Sequence, residues 1–190
     1  MHITTQLSVL GLLVLGTAST THAQVPTPPP PAAQTSSGGI TIGASGFVGL
    51  PIGDFGKGLD LGIGALLDVS YNFQPQIDLV GRAGFIYFLL DDNYGGNATF
   101  YDIPVWLGAR YFLAPGENGP FLHGELGLNS YHFKVDSGLG SASHSETEIA
   151  VNLLGGIRQG KLIAEGGLYV GSLDDVGDSM MIGGTVGTSF

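Results

Sequence analysis

From Ile40 onward, apolar side chains return at every second position, and no window shows the three-to-four-residue spacing of an amphipathic helix. Alternate residues of a strand point to opposite faces of a sheet. A chain with this rhythm can fold only as sheet, with one face of each strand apolar and the other mixed or polar. Ile40, Ile42, Ala44, Gly46, Val48 and Leu50 form one face of a first strand, and residues 51–58 break it. Leu59, Leu61, Ile63, Ala65, Leu67, Val69 and Tyr71 form the apolar face of a second, opposite Asp60, Gly62, Gly64, Leu66, Asp68 and Ser70. Residues 72–76 then read as a turn.

The same rhythm predicts six more strands. A third sets Leu79, Phe85, Tyr87 and Leu89 against Asp78 and Arg82, and residues 91–97 follow as a loop. A fourth alternates Tyr101, Ile103, Val105, Leu107, Ala109 and Tyr111 with Asp102, Pro104, Trp106, Gly108 and Arg110. Pro104 has no N–H to give to a ladder, so a bulge or a late strand start is expected there. A fifth opposes Leu122, Leu126 and Leu128 to His123 and Glu125, and the polar stretch 135–146 reads as a long loop. A sixth opposes Ile149, Val151, Leu153 and Ile157 to Glu148, Asn152 and Leu154, then turns at residues 158–161. A seventh opposes Leu162, Ala164, Leu168 and Val170 to Glu165 and Tyr169. After the loop 174–178, the eighth runs to Phe190.

Eight strands, with turn-like connections after the second, fourth and sixth and longer polar ones after the third and fifth, predict an all-β, antiparallel, up-and-down barrel. The 33 glycines suit the tight curvature of a small one. Periodicity does not tell which face is outside. A soluble periplasmic barrel turns its apolar face inward, whereas a barrel in lipid turns it outward and holds its charges inside.

The N-terminal segment favours the second arrangement. Residues 7–15, LSVLGLLVL, form an apolar run too short to span a bilayer, followed by small and polar residues up to Ala23. Residues 1–23 are therefore expected to be a signal peptide. Residues 24–39, with a run of prolines, are expected to be a flexible tether before the barrel domain 40–190. The formal charge is -10, with only 6 Lys plus Arg; this composition offers no basic footprint for nucleic acid. There is no Cys, which excludes disulfides and thiol chemistry.

The chain resembles the small outer-membrane β-barrels of Gram-negative bacteria, the OmpA transmembrane-domain-like, OmpX-like and opacity-type group. The resemblance rests on the opening Gly39-Ile40-Thr41-Ile42-Gly43, the segment LGARYFL at 107–113 and the closing IGGTVGTSF at 182–190. It implies a transmembrane barrel in the outer membrane, in contact with membrane lipid and lipopolysaccharide. It further implies a Phe190-bearing terminal strand read by the barrel-assembly machinery as a membrane-insertion signal. Roles in that group include structural proteins, surface adhesins, narrow pores and lipid-modifying enzymes, and fold alone does not choose among them.

No catalytic, cofactor or metal residue is assigned. The glycines sit within strands, away from any strand-to-helix phosphate loop. His123, His132 and His144 lack metal-ligand spacing, and His123 with Glu125 reads as an internal pair. Ser143-His144-Ser145-Glu146 contains groups capable of acyl transfer, but in a polar loop. The acidic stretches at 91–93 and 174–178 read as solvated outer-loop charge, with Ca²⁺ or Mg²⁺ bound beside lipopolysaccharide phosphates as the alternative. The expectation is a non-enzymatic barrel with a structural or surface-interaction role, its loops open to an extracellular ligand; the alternatives are a narrow cation-preferring pore and an outer-membrane lipid-modifying enzyme or soluble periplasmic barrel. Parity directs Asp68, Asp78, Arg82, Arg110, Glu125, Arg158 and Glu165 inward, toward the end with short turns, as a lumen charge network that fills the interior.

Overall fold

The computed structural model describes residues 38–90, 98–137, 140–173 and 179–190. The expected signal peptide, residues 24–37 of the tether and the acidic stretches at 91–93 and 174–178 lie outside them.

Eight strands form one closed barrel: β1 (Ile40–Ile52), β2 (Leu59–Gln74), β3 (Ile77–Leu90), β4 (Ala98–Phe112), β5 (Gly119–Ser137), β6 (Gly140–Gln159), β7 (Leu162–Val170) and β8 (Met180–Ser189). Each pairs antiparallel with the next, and β8 closes on β1 from Gly43↔Ser189 to Ile52↔Met180. Residues 75–76, 113–118 and 160–161 connect strands at one end, the turn end. Residues 53–58, with a 3-10 turn at Phe55–Lys57, lie at the other, the loop end.

The side chains sort as the rhythm predicts. Val48, Leu67, Val69, Val105, Leu107, Leu126, Leu153 and Val186 are exposed on the outer face, while Asp68, Arg82, Trp106, Arg110, Glu125 and Glu165 are buried. The outer face of β4 from Tyr101 to Tyr111 carries no charge. Ten residue steps of about 3.3 Å at a tilt of about 40° give a height of about 25 Å, the thickness of the apolar band of a membrane barrel.

Five local expectations are corrected. The stretch 135–146 is not a long loop: β5 and β6 pair continuously from Tyr131↔Glu146 to Ser137↔Gly140. The β6 segment of this ladder, GSASHSE at 140–146, has no apolar period, and in β5 the apolar residues Tyr131, Phe133 and Val135 fall on the inward parity, opposite to the outward apolar set Leu122, Leu126 and Leu128. At the turn end, β2 continues to Gln74 through an irregularity at Asn72/Gln74, which leaves only residues 75–76 as the turn. At the loop end, a register shift between Leu59 and Leu61 reverses the expected parity. Asp60 is exposed, and Leu59 packs on the interior cluster.

Pro104 marks neither a bulge nor a strand start. It lies inside β4, paired with Asn129 of β5, where the β3–β4 ladder is interrupted between Ala83↔Val105 and Ile86↔Asp102. Its missing donor is accommodated in that gap. Val170, expected on the outer face, is buried at the end of β7, where Gly171 N donates to Ser179 O at 2.7 Å and Leu173 N to Ile149 O at 3.0 Å.

The interior is stacked in layers. Apolar side chains fill the middle: Phe47, Leu66, Ile86, Phe88, Trp106, Leu154, Tyr169 and Met181 are buried together. Phe47 meets Tyr169 edge to face at 5.2 Å, and Trp106 lies 5.8 Å from Tyr169. Charged groups lie between this layer and the turn end. Aromatic rings from Phe55, Phe100 and Tyr131 lie on its loop-end side.

Candidate functional site

The charged layer begins with a cross-strand pair. Asp68 of β2 stands directly opposite Arg82 of β3, and Arg82 Nε donates to Asp68 Oδ1 at 2.5 Å. The guanidinium fork extends further: Nη1 lies 3.3 Å from Glu125 Oε1 of β5, and Nη2 donates to Glu165 Oε1 of β7. Arg82 therefore joins three carboxylates from three other strands, an arrangement suited to a planar group with five N–H donors.

A second tier lies nearer the turns. Asp78 of β3 pairs in register with Arg110 of β4, but its carboxylate accepts from Arg158 Nη1 of β6 at 3.0 Å and from Asn72 Nδ2 at 3.1 Å. Arg110 reaches back to the first tier, 3.6 Å from Glu165 and 4.0 Å from Asp68. Arg158 also lies 3.5 Å from Glu117 at the turn end. The structure thus places all seven singled-out charges inside the barrel, each less than 9% exposed, and links them across six strands.

Residues that charge parity alone did not single out complete the cluster. His123 approaches Glu125 through Nε2 at 3.4 Å and Glu165 more closely through Nδ1 at 3.0 Å, so the expected pair is one side of a bridge. Asn152 donates to Glu125 at 3.0 Å, Thr185 to Glu165 at 3.3 Å and Ser45 to Asp68 at 3.4 Å. Phe121 lies under the Arg110 guanidinium at 5.5 Å and Phe112 under that of Arg158 at 5.6 Å. All share the inward parity of the charges they serve, which is the signal by which they could have been found.

Little space remains among these groups. The cavity bordered by Asp68, Arg82, Arg110 and Arg158 measures about 10 Å³, room for about one water molecule. Opposed charges here lie within 4.0 Å of one another, but Arg110 Nε and Nη2 are buried without a hydrogen bond and are held by charge alone. The apolar middle layer separates them from the loop end.

The Ser143-His144-Ser145-Glu146 segment does not converge on one site. Its residues alternate across β6. Ser145 Oγ lies 2.9 Å from His132 Nδ1, whose ring stacks on Tyr101 at 4.8 Å, whereas His144 lies 3.9 Å from Glu146. Among the described residues, no group of three or more His, Cys, Asp or Glu is arranged to hold a metal ion. Phe190, 73% exposed, extends the seam: its backbone N donates to Ile42 O at 2.8 Å.

Several solved β-barrel structures match this architecture. Ail, the attachment invasion locus protein of Yersinia pestis, matches with a TM-score of 0.55 at 18% identity, over 80% of this chain and 96% of that chain. A second Ail structure, in complex with the heparin analogue sucrose octasulfate, matches with a TM-score of 0.54 at 19% identity, again over 80% and 96%. The N-terminal β-barrel domain of Pseudomonas aeruginosa OprF matches with a TM-score of 0.58 at 12% identity, over 81% of this chain and all of that one (100%). No protein-family model matches the chain, and no curated protein matches it. The likeness is one of fold: this chain is an eight-stranded antiparallel closed barrel similar to those of Ail and the OprF N-terminal domain.

Proposed function

We propose that the chain is a non-enzymatic outer-membrane barrel, closed to bulk solute, which holds its loop end at the cell surface for a structural or interaction role. One observation carries this reading: the sidedness of the barrel wall. Large apolar residues are exposed on the outer face of every strand, while the arginines, Asp68, Asp78, Glu125 and Glu165 are inside. A soluble barrel with this surface would present a continuous apolar girdle to water, far beyond the few hundred Å² that soluble monomers usually expose. Lipid is the solvent that such a wall suits.

In this reading residues 1–23 direct export, residues 24–39 keep the processed N-terminus clear of the barrel, and the outer wall contacts lipid and lipopolysaccharide. Phe190 and the terminal strand β8 engage the assembly machinery. The packed middle layer and the paired charges support a closed interior over the cation-preferring pore, because an eight-stranded barrel is just wide enough for side chains to fill.

Fractionation of expressing cells tests the assignment. The protein is expected with the outer membrane, migrating on detergent gels at different positions before and after heating. Recovery as freely soluble protein without detergent overturns it.

A further inference from the structure

At the loop end the interior opens into an aromatic cup. Phe100 and Tyr131 stack at 5.7 Å with planes 11° apart, Phe133 lies 6.4 Å from Phe100, and Phe55 closes the cup 6.2 Å from Phe100 and 6.3 Å from Tyr131. These four rings border a cavity of about 270 Å³. Its other wall belongs to β6, where the register sets Glu146 opposite Tyr131 and Glu148 opposite Asn129. Both carboxylates line the cavity, and among the described residues neither Lys nor Arg does. His144 also lines it, 3.9 Å from Glu146. Behind the rings, Asp102 stands opposite Tyr131 in the β4–β5 ladder and is fully buried.

Aromatic faces are electron-rich, and with carboxylates beside them they attract a cation. The kind of cation follows from the lining. Ca²⁺ or Mg²⁺ takes six or more hard oxygen ligands or keeps its water; beside the four rings the lining has the Glu146 and Glu148 carboxylates with Ser172 and Ser179, and among the described residues no group of three or more His, Cys, Asp or Glu is arranged to hold a metal ion. A weakly hydrated organic cation can exchange water for ring faces, with the carboxylates offsetting its charge. The volume suits a small ligand.

We propose that this cup binds small alkylammonium ions, quaternary ones included. The site is independent of the membrane assignment, since the same residues would form it in any solvent around the wall. Choline is the probe and its neutral carbon analogue, dimethylbutanol, the control. Calorimetric titration uses the whole barrel in uncharged maltoside micelles, which contain no ammonium group.

Choline is expected to bind saturably in the millimolar range and dimethylbutanol not to saturate. The double variant Glu146→Gln, Glu148→Gln removes charge from the exposed wall and is expected to weaken choline binding roughly fivefold. Phe100→Leu, which removes a ring face, is expected to weaken it by a similar roughly fivefold factor. Far-ultraviolet circular dichroism confirms that each variant keeps the strand content of the parent. No saturable choline binding, equal binding of dimethylbutanol, or unchanged affinity in the folded double-Gln variant each overturns the proposal.

Discussion

Arg82 on β3 and Glu165 on β7 meet inside the barrel although 83 residues separate them, and neither side chain is more than 1% exposed. No neighbouring strands bring them together. Only closure of the barrel does, so this pair and its partners report on the finished fold.

Removal of the hub should therefore be costly. In Arg82→Ala, the buried carboxylates of Asp68, Glu125 and Glu165 lose their shared partner. Truncating one side of a buried ion pair costs about 3–5 kcal/mol. Urea unfolding in detergent should show a loss of this order. An unchanged midpoint would mean that the contacts add nothing to stability.

A barrel filled in this way should not conduct. Planar-bilayer recording of the purified protein is expected to show no frequent, stable openings. Ohmic openings with cation preference would establish the pore in place of the closed barrel, with the surplus of interior carboxylates as its filter.

Glycine positions separate the crowded inner wall from the open outer one. A Cβ at Gly127 would stand 2.1 Å from Val105 O and 2.6 Å from Trp106 Cα, backbone that cannot yield without moving β4, whereas one at Gly155 meets nothing within 4 Å. Gly127→Ala should destabilise the barrel by about 1–3 kcal/mol. Gly155→Ala should fall within about 0.5 kcal/mol of the parent. Thermal melts of the two variants in the same detergent check the contrast, and equal melting temperatures would contradict it.

Phe190 carries two separable contributions, an exposed ring and a backbone N–H donated to Ile42 at the seam. Deletion of Phe190 removes both; Phe190→Ser removes only the ring. If the ring is an insertion signal, pulse-labelling should show slowed outer-membrane assembly in both variants. Parent-like rates in Phe190→Ser would reduce Phe190 to an ordinary interface aromatic.

Much of this was written in the order of residues. The period-two rhythm determined eight strands and their apolar sides, because the pleat sends alternate residues to opposite faces whatever the surroundings. The same parity directed Asp68, Asp78, Arg82, Arg110, Glu125, Arg158 and Glu165 to one face. Partner choice was not legible: Asp78 stands beside Arg110 in the ladder, yet it bonds Arg158, 80 residues on, because curvature brings β3 and β6 side chains together across the interior. The extension of β5 and β6 through 135–146 was equally hidden, since β6 has no apolar period there and the apolar residues of β5 change from the outward parity at Leu128 to the inward one at Tyr131 and Phe133. The aromatic cup needed both. Phe55 comes from a 3-10 turn with no rhythm of its own, and Glu146 reaches Tyr131 only once that hairpin has formed. Alternation specifies a side of the wall, while closure decides which side chains meet across it.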